Sequence, residues 1–253
     1  MSKVMSMSKS KFSKLLRSLT NLQLTEEIEP SIFKGATAEE VAQRKLDAPK
    51  IIVQEWIEDF PKRKDVHKNE DGSYDVDGNI DLSSMMLEKF PVKFNKISED
   101  FWCNVNNLTT LEGAPSSVGG DFYCNYNNLT SLEGAPKEIN GAFYCSNNNL
   151  TSLEGAPVSV SEDFSCSFNN LTSLEGAPKE INGAFYCNYN NLTSLEGAPS
   201  SVGGTFYCDH NNLTTLEGAP KKVGGNFYCT ANKKKFTKEE VRAVSNVKGE
   251  IYV

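Results

Sequence analysis

Apolar and polar positions follow a strict period of 21 residues along residues 101–226. Each repeat starts with Phe-x-Cys, carries two leucines in its middle and has a valine or isoleucine near its end. One such unit is too short to bury its own apolar side, so the period predicts a solenoid of stacked coils. Seven cysteines, each 21 residues apart, mark the register: Cys103, Cys124, Cys145, Cys166, Cys187, Cys208 and Cys229.

The two halves of one repeat predict different local structures. The alternation in Phe122-Tyr123-Cys124 favours a short strand, with Phe122 and Cys124 inward and Tyr123 outward. The return half, such as residues 108–118, contains Gly and Pro and lacks a helical stripe, so turns and extended chain are expected there. An asparagine follows three residues after each cysteine and predicts a ladder that satisfies the turning backbone: Asn106, Asn127, Asn148, Asn169, Asn190, Asn211 and Asn232.

The spacing Phe-x-Cys-x-x-Asn-x-Leu matches the leucine-rich pattern L-x-L-x-x-N-x-L. About residues 74–253 therefore resemble the short leucine-rich repeats of bacterial effectors. With the run Asn-Leu-Thr-Ser-Leu-Glu-Gly-Ala-Pro at 128–136, they also resemble the Cys/NLTSLEGAP repeat proteins of large tailed bacteriophages. The resemblance implies a β-rich right-handed solenoid of 21-residue leucine-rich repeats with one parallel β-sheet. A small α-helical N-terminal region and a short C-terminal capping helix complete the predicted fold.

The repeat pattern extends beyond the cysteines at both ends. Val76-x-Gly78-x-Ile80-x-Leu82 predicts a degenerate first coil, and Thr237-x-x-Glu240 predicts the start of the capping helix. Nine stacked strands are expected between residues 80 and 253. The predicted division is a basic N-terminal segment at 1–29, a helical region and linker at 30–72, and a solenoid at 73–253, with an N-terminal cap coil at 73–100, regular repeats at 101–232 and a C-terminal cap at 233–253.

Residues 1–29 are basic, with no acidic residue before Glu26, and have apolar residues at helical spacing between Phe12 and Leu22. Such a segment can dock on a membrane or an acidic partner, or it can be a flexible terminus or a helix on the body. Leu24-Thr25-Glu26 resembles the sites cut by phage prohead proteases. Neither a transmembrane span nor a secretory signal is expected.

The cysteines occupy inward apolar slots and lack Cys-x-x-Cys spacing, so a reduced, buried ladder in an intracellular protein is expected. No metal, cofactor or catalytic residue is expected, because no motif supplies one and the histidines are only His67 and His210. The formal net charge is −7, and residues 101–229 hold twelve Asp and Glu against four Lys. This balance argues against nucleic-acid binding by the solenoid.

Outward aromatic residues give the strongest indication of a binding site. They stand between Phe and Cys, or two positions after Cys, and we expect them on the concave side of the sheet. Two interpretations stay open: cross-strand stacking that stabilises the sheet, and an exposed surface that anchors a partner. The candidate protein-binding residues are Trp102, Tyr123, Tyr126, Tyr144, Phe168, Tyr186, Tyr189, Tyr207, His210 and Tyr228.

The pattern as a whole predicts a non-catalytic protein–protein interaction module. By resemblance it is encoded by a phage, acts in the host cytoplasm and binds a host or phage protein through the concave aromatic sheet. The alternative is a structural or packaged virion protein, whose basic N-terminal segment is a cleavable delivery signal. The sequence names no partner for either function.

Overall fold

A computed structural model of the protein describes residue 50 and residues 53–253. The predicted basic segment at 1–29 and the predicted helical region from residue 30 up to residue 49 lie outside the described residues. Residues 53–253 form one compact unit. Within the part of the chain that the structure describes, no helix is long and apolar enough to cross a membrane.

The described chain begins with an aromatic cluster that packs on the first coils. Residues 53–59 are α-helical and lead into a 3-10 turn at Phe60–Lys62. Strands β1 (Val66–Lys68) and β2 (Tyr74–Val76) then form an antiparallel hairpin, where the sequence suggested a basic linker. The buried ring of Phe60 lies 4.4 Å from Trp56 and 5.8 Å from Phe94, centroid to centroid. The hairpin crosses the expected boundary at residues 72 and 73, and the division into regions stays a prediction.

One parallel sheet runs through the whole solenoid, and it has the nine strands that the sequence predicts. Each strand pairs with those one coil before and after, so that Phe164 lies opposite both Phe143 and Phe185. Every rung-to-rung hydrogen bond therefore points along the stacking direction. The strands are β3 (Ile80–Asp81), β5 (Phe101–Trp102), β7 (Phe122–Tyr123), β9 (Phe143–Tyr144), β11 (Phe164–Ser165), β13 (Phe185–Tyr186), β15 (Phe206–Tyr207), β17 (Phe227–Tyr228) and β19 (Ile251–Tyr252).

The return half of each coil also carries a short strand, where the sequence predicted only turns and extended chain. Buried valines and isoleucines such as Val118 and Ile139 stack in register there, which aligns neighbouring backbones for pairing. The strands β4 (Phe94–Ile97), β6 (Ser117–Val118), β8 (Glu138–Ile139) and β10 (Ser159–Val160) join β1 and β2 in a six-stranded sheet. A four-stranded sheet contains β12 (Glu180–Ile181), β14 (Ser201–Val202), β16 (Lys222–Val223) and β18 (Asn246–Val247).

Inside the coils, the phenylalanines and cysteines of successive rungs stack as predicted. Phe122 and Phe143 are fully buried, with ring centroids 5.7 Å apart. All seven cysteines are buried and free. The Cys166 thiol donates to the carbonyl oxygen of Tyr186 in the next rung at 3.3 Å, and burial raises the pKa of this thiol.

The asparagine ladder is confirmed, and each amide bridges neighbouring coils. The Nδ2 group of Asn127 donates to the carbonyl oxygens of Cys103 and Cys124 at 3.0 and 3.1 Å. Its Oδ1 atom accepts from the Leu108 N–H at 3.0 Å. The ladder thus satisfies buried backbone groups at the point where the chain leaves the nine-stranded sheet.

The predicted capping helix is present at Lys238–Val244. Its capping box is complete, since the Thr237 hydroxyl accepts from the Glu240 N–H and the Glu240 carboxylate accepts from the Thr237 N–H. The chain then adds β18 to the four-stranded sheet and β19 to the nine-stranded sheet.

Candidate binding surface on the nine-stranded sheet

The outward residues of the last eight strands of the nine-stranded sheet, β5 to β19, form a row that we call the strand column. Each member up to Tyr228 stands between the inward Phe and Cys of its coil, and Tyr252 stands between Ile251 and Val253, so strand alternation turns each of them to the other side of the sheet. The aromatic members before Tyr252 are partly buried by their neighbours, whereas Tyr252 is exposed. The strand column is Trp102, Tyr123, Tyr144, Ser165, Tyr186, Tyr207, Tyr228 and Tyr252.

Rings of the strand column stack face to face, in two runs separated by Ser165. Centroids are 4.8 Å apart for Tyr123 and Tyr144, and 4.7 Å apart for Tyr186 and Tyr207. The second run continues through Tyr228 to Tyr252. Stacked cross-strand pairs stabilise a sheet, so the strand column supports the fold whatever else it does.

Acidic residues lie beside the rings of the strand column. The Tyr123 hydroxyl donates to Asp121 Oδ2 at 2.7 Å. Burial, the hydrogen bond to Asp121 and the charge of that carboxylate all raise the pKa of Tyr123. Burial and then the Asp163 carboxylate raise the pKa of both Tyr144 and Tyr186. Tyr123, Tyr144 and Tyr186 therefore stay neutral near pH 7, close to negatively charged carboxylates.

A second row, which we call the turn column, stands two residues after each cysteine, where the chain leaves the sheet. Its large apolar members are exposed: Tyr126 by 56%, Val105 by 48%, Phe168 by 47% and Tyr189 by 41%. The turn column is Val105, Tyr126, Asn147, Phe168, Tyr189, His210 and Ala231.

All seven turn-column residues have a left-handed backbone, with φ between 52 and 56°. Asparagine tolerates this region, but β-branched and bulky residues are disfavoured there, at a cost of about 1–2 kcal/mol per residue. The conformation is held by the stacking of the coils. The Tyr189 N–H, for example, donates to the Asp209 carbonyl oxygen at 3.2 Å. The turn column thus presents large side chains at positions that suit asparagine better.

Three turn-column rings form a continuous exposed stack. The Tyr189 ring lies 4.3 Å from Phe168 and 4.2 Å from His210, centroid to centroid. His210 Nδ1 lies 2.8 Å from Asp209 Oδ2. Tyr126 has no stacked ring partner among the described residues, because Asn147 follows it in the column.

The ten residues singled out in the sequence are distributed over these two columns, six in the strand column and four in the turn column. Their role in binding stays a prediction. Sequence reasoning left out Tyr252, which ends the strand column, although it lies in the recognised terminal pattern after Ile251. Among the described residues, no group of three or more His, Cys, Asp or Glu side chains could hold a metal ion.

Comparison with known proteins places the fold. No family model matches the chain, and no curated protein matches it. The solved leucine-rich-repeat domain of a Shigella effector is similar, with a TM-score of 0.53 and 15% identity over 96% of this chain and 99% of that domain. The fold is a leucine-rich-repeat solenoid. YopM from Yersinia enterocolitica is similar at a TM-score of 0.36 and 14% identity, and the match covers 89% of this chain and 56% of YopM.

Proposed function

We propose that the protein is a non-catalytic protein–protein interaction module, which binds its partner through the strand column and the turn column. This is the face that the sequence places on the concave side of the solenoid. One observation carries the proposal: large exposed side chains, such as Tyr126 and Phe168, occupy left-handed backbone positions in several coils. Residues held in unfavourable conformations concentrate at functional sites, since the fold alone gives no reason to keep them.

The chemistry of the two columns suits a protein partner. Aromatic rings lose little conformational entropy on binding and bury a large area, so they dominate the energetics of many interfaces. Stacking already holds Phe168, Tyr189 and His210 in fixed orientations. A surface ordered before binding loses less entropy when the complex forms. An extended segment or an exposed loop of another protein fits this description.

The proposal of a non-catalytic role rests on the uniformity of the coils. Residues 137–145 recur without change at residues 179–187. A catalytic centre needs one coil to differ by a convergent set of acid, base or nucleophilic groups. A surface that recognises another protein can be built from repeated copies of the same coil.

Replacing two neighbouring rings tests the binding face. We expect Tyr186→Ala with Tyr189→Ala to weaken capture of a host or phage protein by about 2 kcal/mol or more, as for interface hot spots. The measurement is the affinity of each variant for the protein that the wild type recovers from cell extract. The control, Glu175→Gln with Glu196→Gln, changes exposed carboxylates on the return half and should leave the affinity unchanged. If the glutamate pair abolishes binding and the tyrosine pair does not, the assignment of the binding face to the strand column and the turn column is wrong.

We further propose that the protein is phage-encoded and acts in the host cytoplasm. The Cys/NLTSLEGAP repeat and the reduced cysteine ladder support this proposal. The competing function is that of a packaged virion protein with a cleavable N-terminal segment. N-terminal mass spectrometry on purified phage particles separates the two. A chain in the particles that begins at Glu27 favours the packaged protein, whereas absence from particles supports the cytoplasmic role.

A further inference from the structure

Coil 164–166 interrupts the strand column with a gap one ring thick. Tyr144 and Tyr186 stand on either side of Ser165, which Phe143, Phe164 and Phe185 hold in register. The stacked pairs on either side of the gap have centroids 4.8 Å apart for Tyr123 and Tyr144, and 4.7 Å apart for Tyr186 and Tyr207. Two rungs therefore separate Tyr144 from Tyr186 by about 9.6 Å. This distance leaves room for one planar group between the two rings, a space that we call the slot.

The floor of the slot is closed. Ser165 is only 9% exposed, and its Oγ atom lies 2.6 Å from Ser146 Oγ. Tyr144 stacks on Tyr123 and Tyr186 stacks on Tyr207, and among the described residues no ring contact joins Tyr144 to Tyr186 across the gap. The slot thus has two aromatic walls and a polar base.

A carboxylate oxygen beside the slot lacks the partner that its counterpart has. Asp121 uses both oxygens, since Oδ1 accepts from the Ala142 N–H and Oδ2 accepts from the Tyr123 hydroxyl. In the slot coil, Asp163 Oδ1 accepts from the Ala184 N–H at 2.7 Å in the same way. Its Oδ2 atom has no hydrogen bond and no ion pair with any described residue, because Ser165 replaces the tyrosine that would donate to it. This coil therefore lacks both the stacked ring and the phenol hydroxyl that Tyr123 supplies in the coil of Asp121.

The local charge indicates which planar group fits. Asp163 is the charged group that most affects Tyr144 and Tyr186, so it acts on both walls. Glu162 adds a second carboxylate next to it. A guanidinium is planar and positively charged, stacks on aromatic rings and donates to carboxylates. A neutral ring from a partner could stack but would leave the Asp163 charge unpaired, and a lysine ammonium is not planar.

We propose that the slot between Tyr144 and Tyr186 binds the guanidinium of an arginine side chain presented by a partner protein. This proposal rests on the proposed function, because it names the anchor that the partner inserts into the strand column. The guanidinium stacks between the two rings and donates to Asp163 Oδ2. It replaces the ring and the hydroxyl that the coil lacks.

A small probe tests the slot without a known partner. The probe is N-acetyl-arginine-N′-methylamide, titrated into the full chain while the tyrosine ring signals are followed by NMR. We expect saturable binding with a Kd of about 1–10 mM, because a single side chain makes few contacts. We also expect the lysine and tyrosine analogues of the probe to bind at least about fivefold more weakly, since neither combines planarity with charge.

Two variants localise the probe. Ser165→Tyr restores the residue found in most coils and fills the slot, so the probe should lose about tenfold or more in affinity. Asp163→Asn keeps an oxygen to accept from the Ala184 N–H but removes the charge, and should also weaken binding about tenfold. The matched control is Asp121→Asn, which removes the same charge where the strand column is filled, and it should weaken binding much less than Asp163→Asn does, since Asp121 acts on Tyr144 less than Asp163 does. Circular dichroism and thermal melting show whether each variant folds, and Asp163→Asn suffices if Ser165→Tyr does not fold.

The proposal is overturned if the arginine probe does not saturate, if it binds Ser165→Tyr as well as the wild type, or if the lysine or tyrosine analogue binds equally well. These results are distinct from failure of the proposed function. Loss of partner capture by the Tyr186 and Tyr189 pair, without binding of the probe, keeps the binding face and removes the slot. Binding of the probe in the slot, without any effect of that tyrosine pair on capture, shows a guanidinium site that the partner does not use and overturns both proposals.

Discussion

The strand column and the turn column carry the same kinds of side chain, yet they have opposite relations to the fold. Strand-column rings have extended backbones, partial burial and stacked neighbours, as Tyr123 shows with Tyr144. Turn-column residues such as Tyr126 have left-handed backbones and large exposure. Aromatic residues of the strand column stabilise the fold, and this alone explains their presence. Those of the turn column destabilise the fold, so their presence needs another explanation. The turn column is therefore the better guide to function.

Removing one amide of the asparagine ladder should have the largest effect, because the ladder holds the turn column in its conformation. Asn169 Nδ2 donates to the carbonyl oxygens of Cys145, Cys166 and Ser167, and Asn169 Oδ1 accepts from the Leu150 N–H. We expect Asn169→Ala to lower the free energy of unfolding by about 3 kcal/mol or more, since it leaves several buried backbone groups unsatisfied. Urea denaturation measures the change.

The neighbouring Asn170 is the matched control for this change. Its side chain is exposed, so Asn170→Ala should alter the free energy of unfolding by less than about 0.5 kcal/mol. Equal losses for the two variants would mean that the ladder does not enforce the turn.

Removing one ring from the strand column should destabilise the protein. Tyr123 stacks on Tyr144 and Trp102, and its hydroxyl donates to Asp121. We expect Tyr123→Asn to lower the free energy of unfolding by about 2 kcal/mol, from lost ring contacts and one lost hydrogen bond. Thermal unfolding measures this, and no change in melting temperature would show that the stack contributes nothing.

The turn column should respond to the same substitution in the opposite direction. Tyr126 has φ 55°, and asparagine is better suited to that backbone. We expect Tyr126→Asn to raise the free energy of unfolding by about 0.5–1 kcal/mol and to weaken partner binding. If Tyr126→Asn destabilises the protein as much as Tyr123→Asn does, the distinction between the columns fails.

The stacking of coils could be predicted from the sequence because the evidence is repeated many times. Each inward Phe, Cys and Asn recurs at the same spacing, and one side of a strand must be buried in every coil. The nine strands and the asparagine ladder are confirmed for this reason, whereas the capping helix was predicted from its capping box alone. The same alternation placed Tyr123 and its counterparts on the outward side.

The left-handed turn column could not be predicted, since the residues there argue against that conformation. Valine, tyrosine and phenylalanine are poor indicators of positive φ, and only Asn147 and His210 are of types enriched in that region. Hydrogen bonds between coils, from the backbone and from the asparagine ladder, determine the conformation, and no single coil contains them. The short strands of the return half were missed because two residues are too few for a periodic pattern. The slot could not be predicted from one coil either, because it forms only where Ser165 is flanked by Tyr144 and Tyr186 of the neighbouring coils.

The direction of the backbone hydrogen bonds determines how the solenoid responds to force. All nine strands pair along the stacking axis, so a pull on the two ends puts tension on the hydrogen bonds between successive coils. These bonds break first at the outermost coil, which has a neighbour on one side only. Coils should then detach one by one from a terminus. Each release of a 21-residue coil adds about 65 Å of contour length. The solenoid should therefore lengthen in equal steps under tension, and the coils that remain stacked keep their strand column and turn column intact.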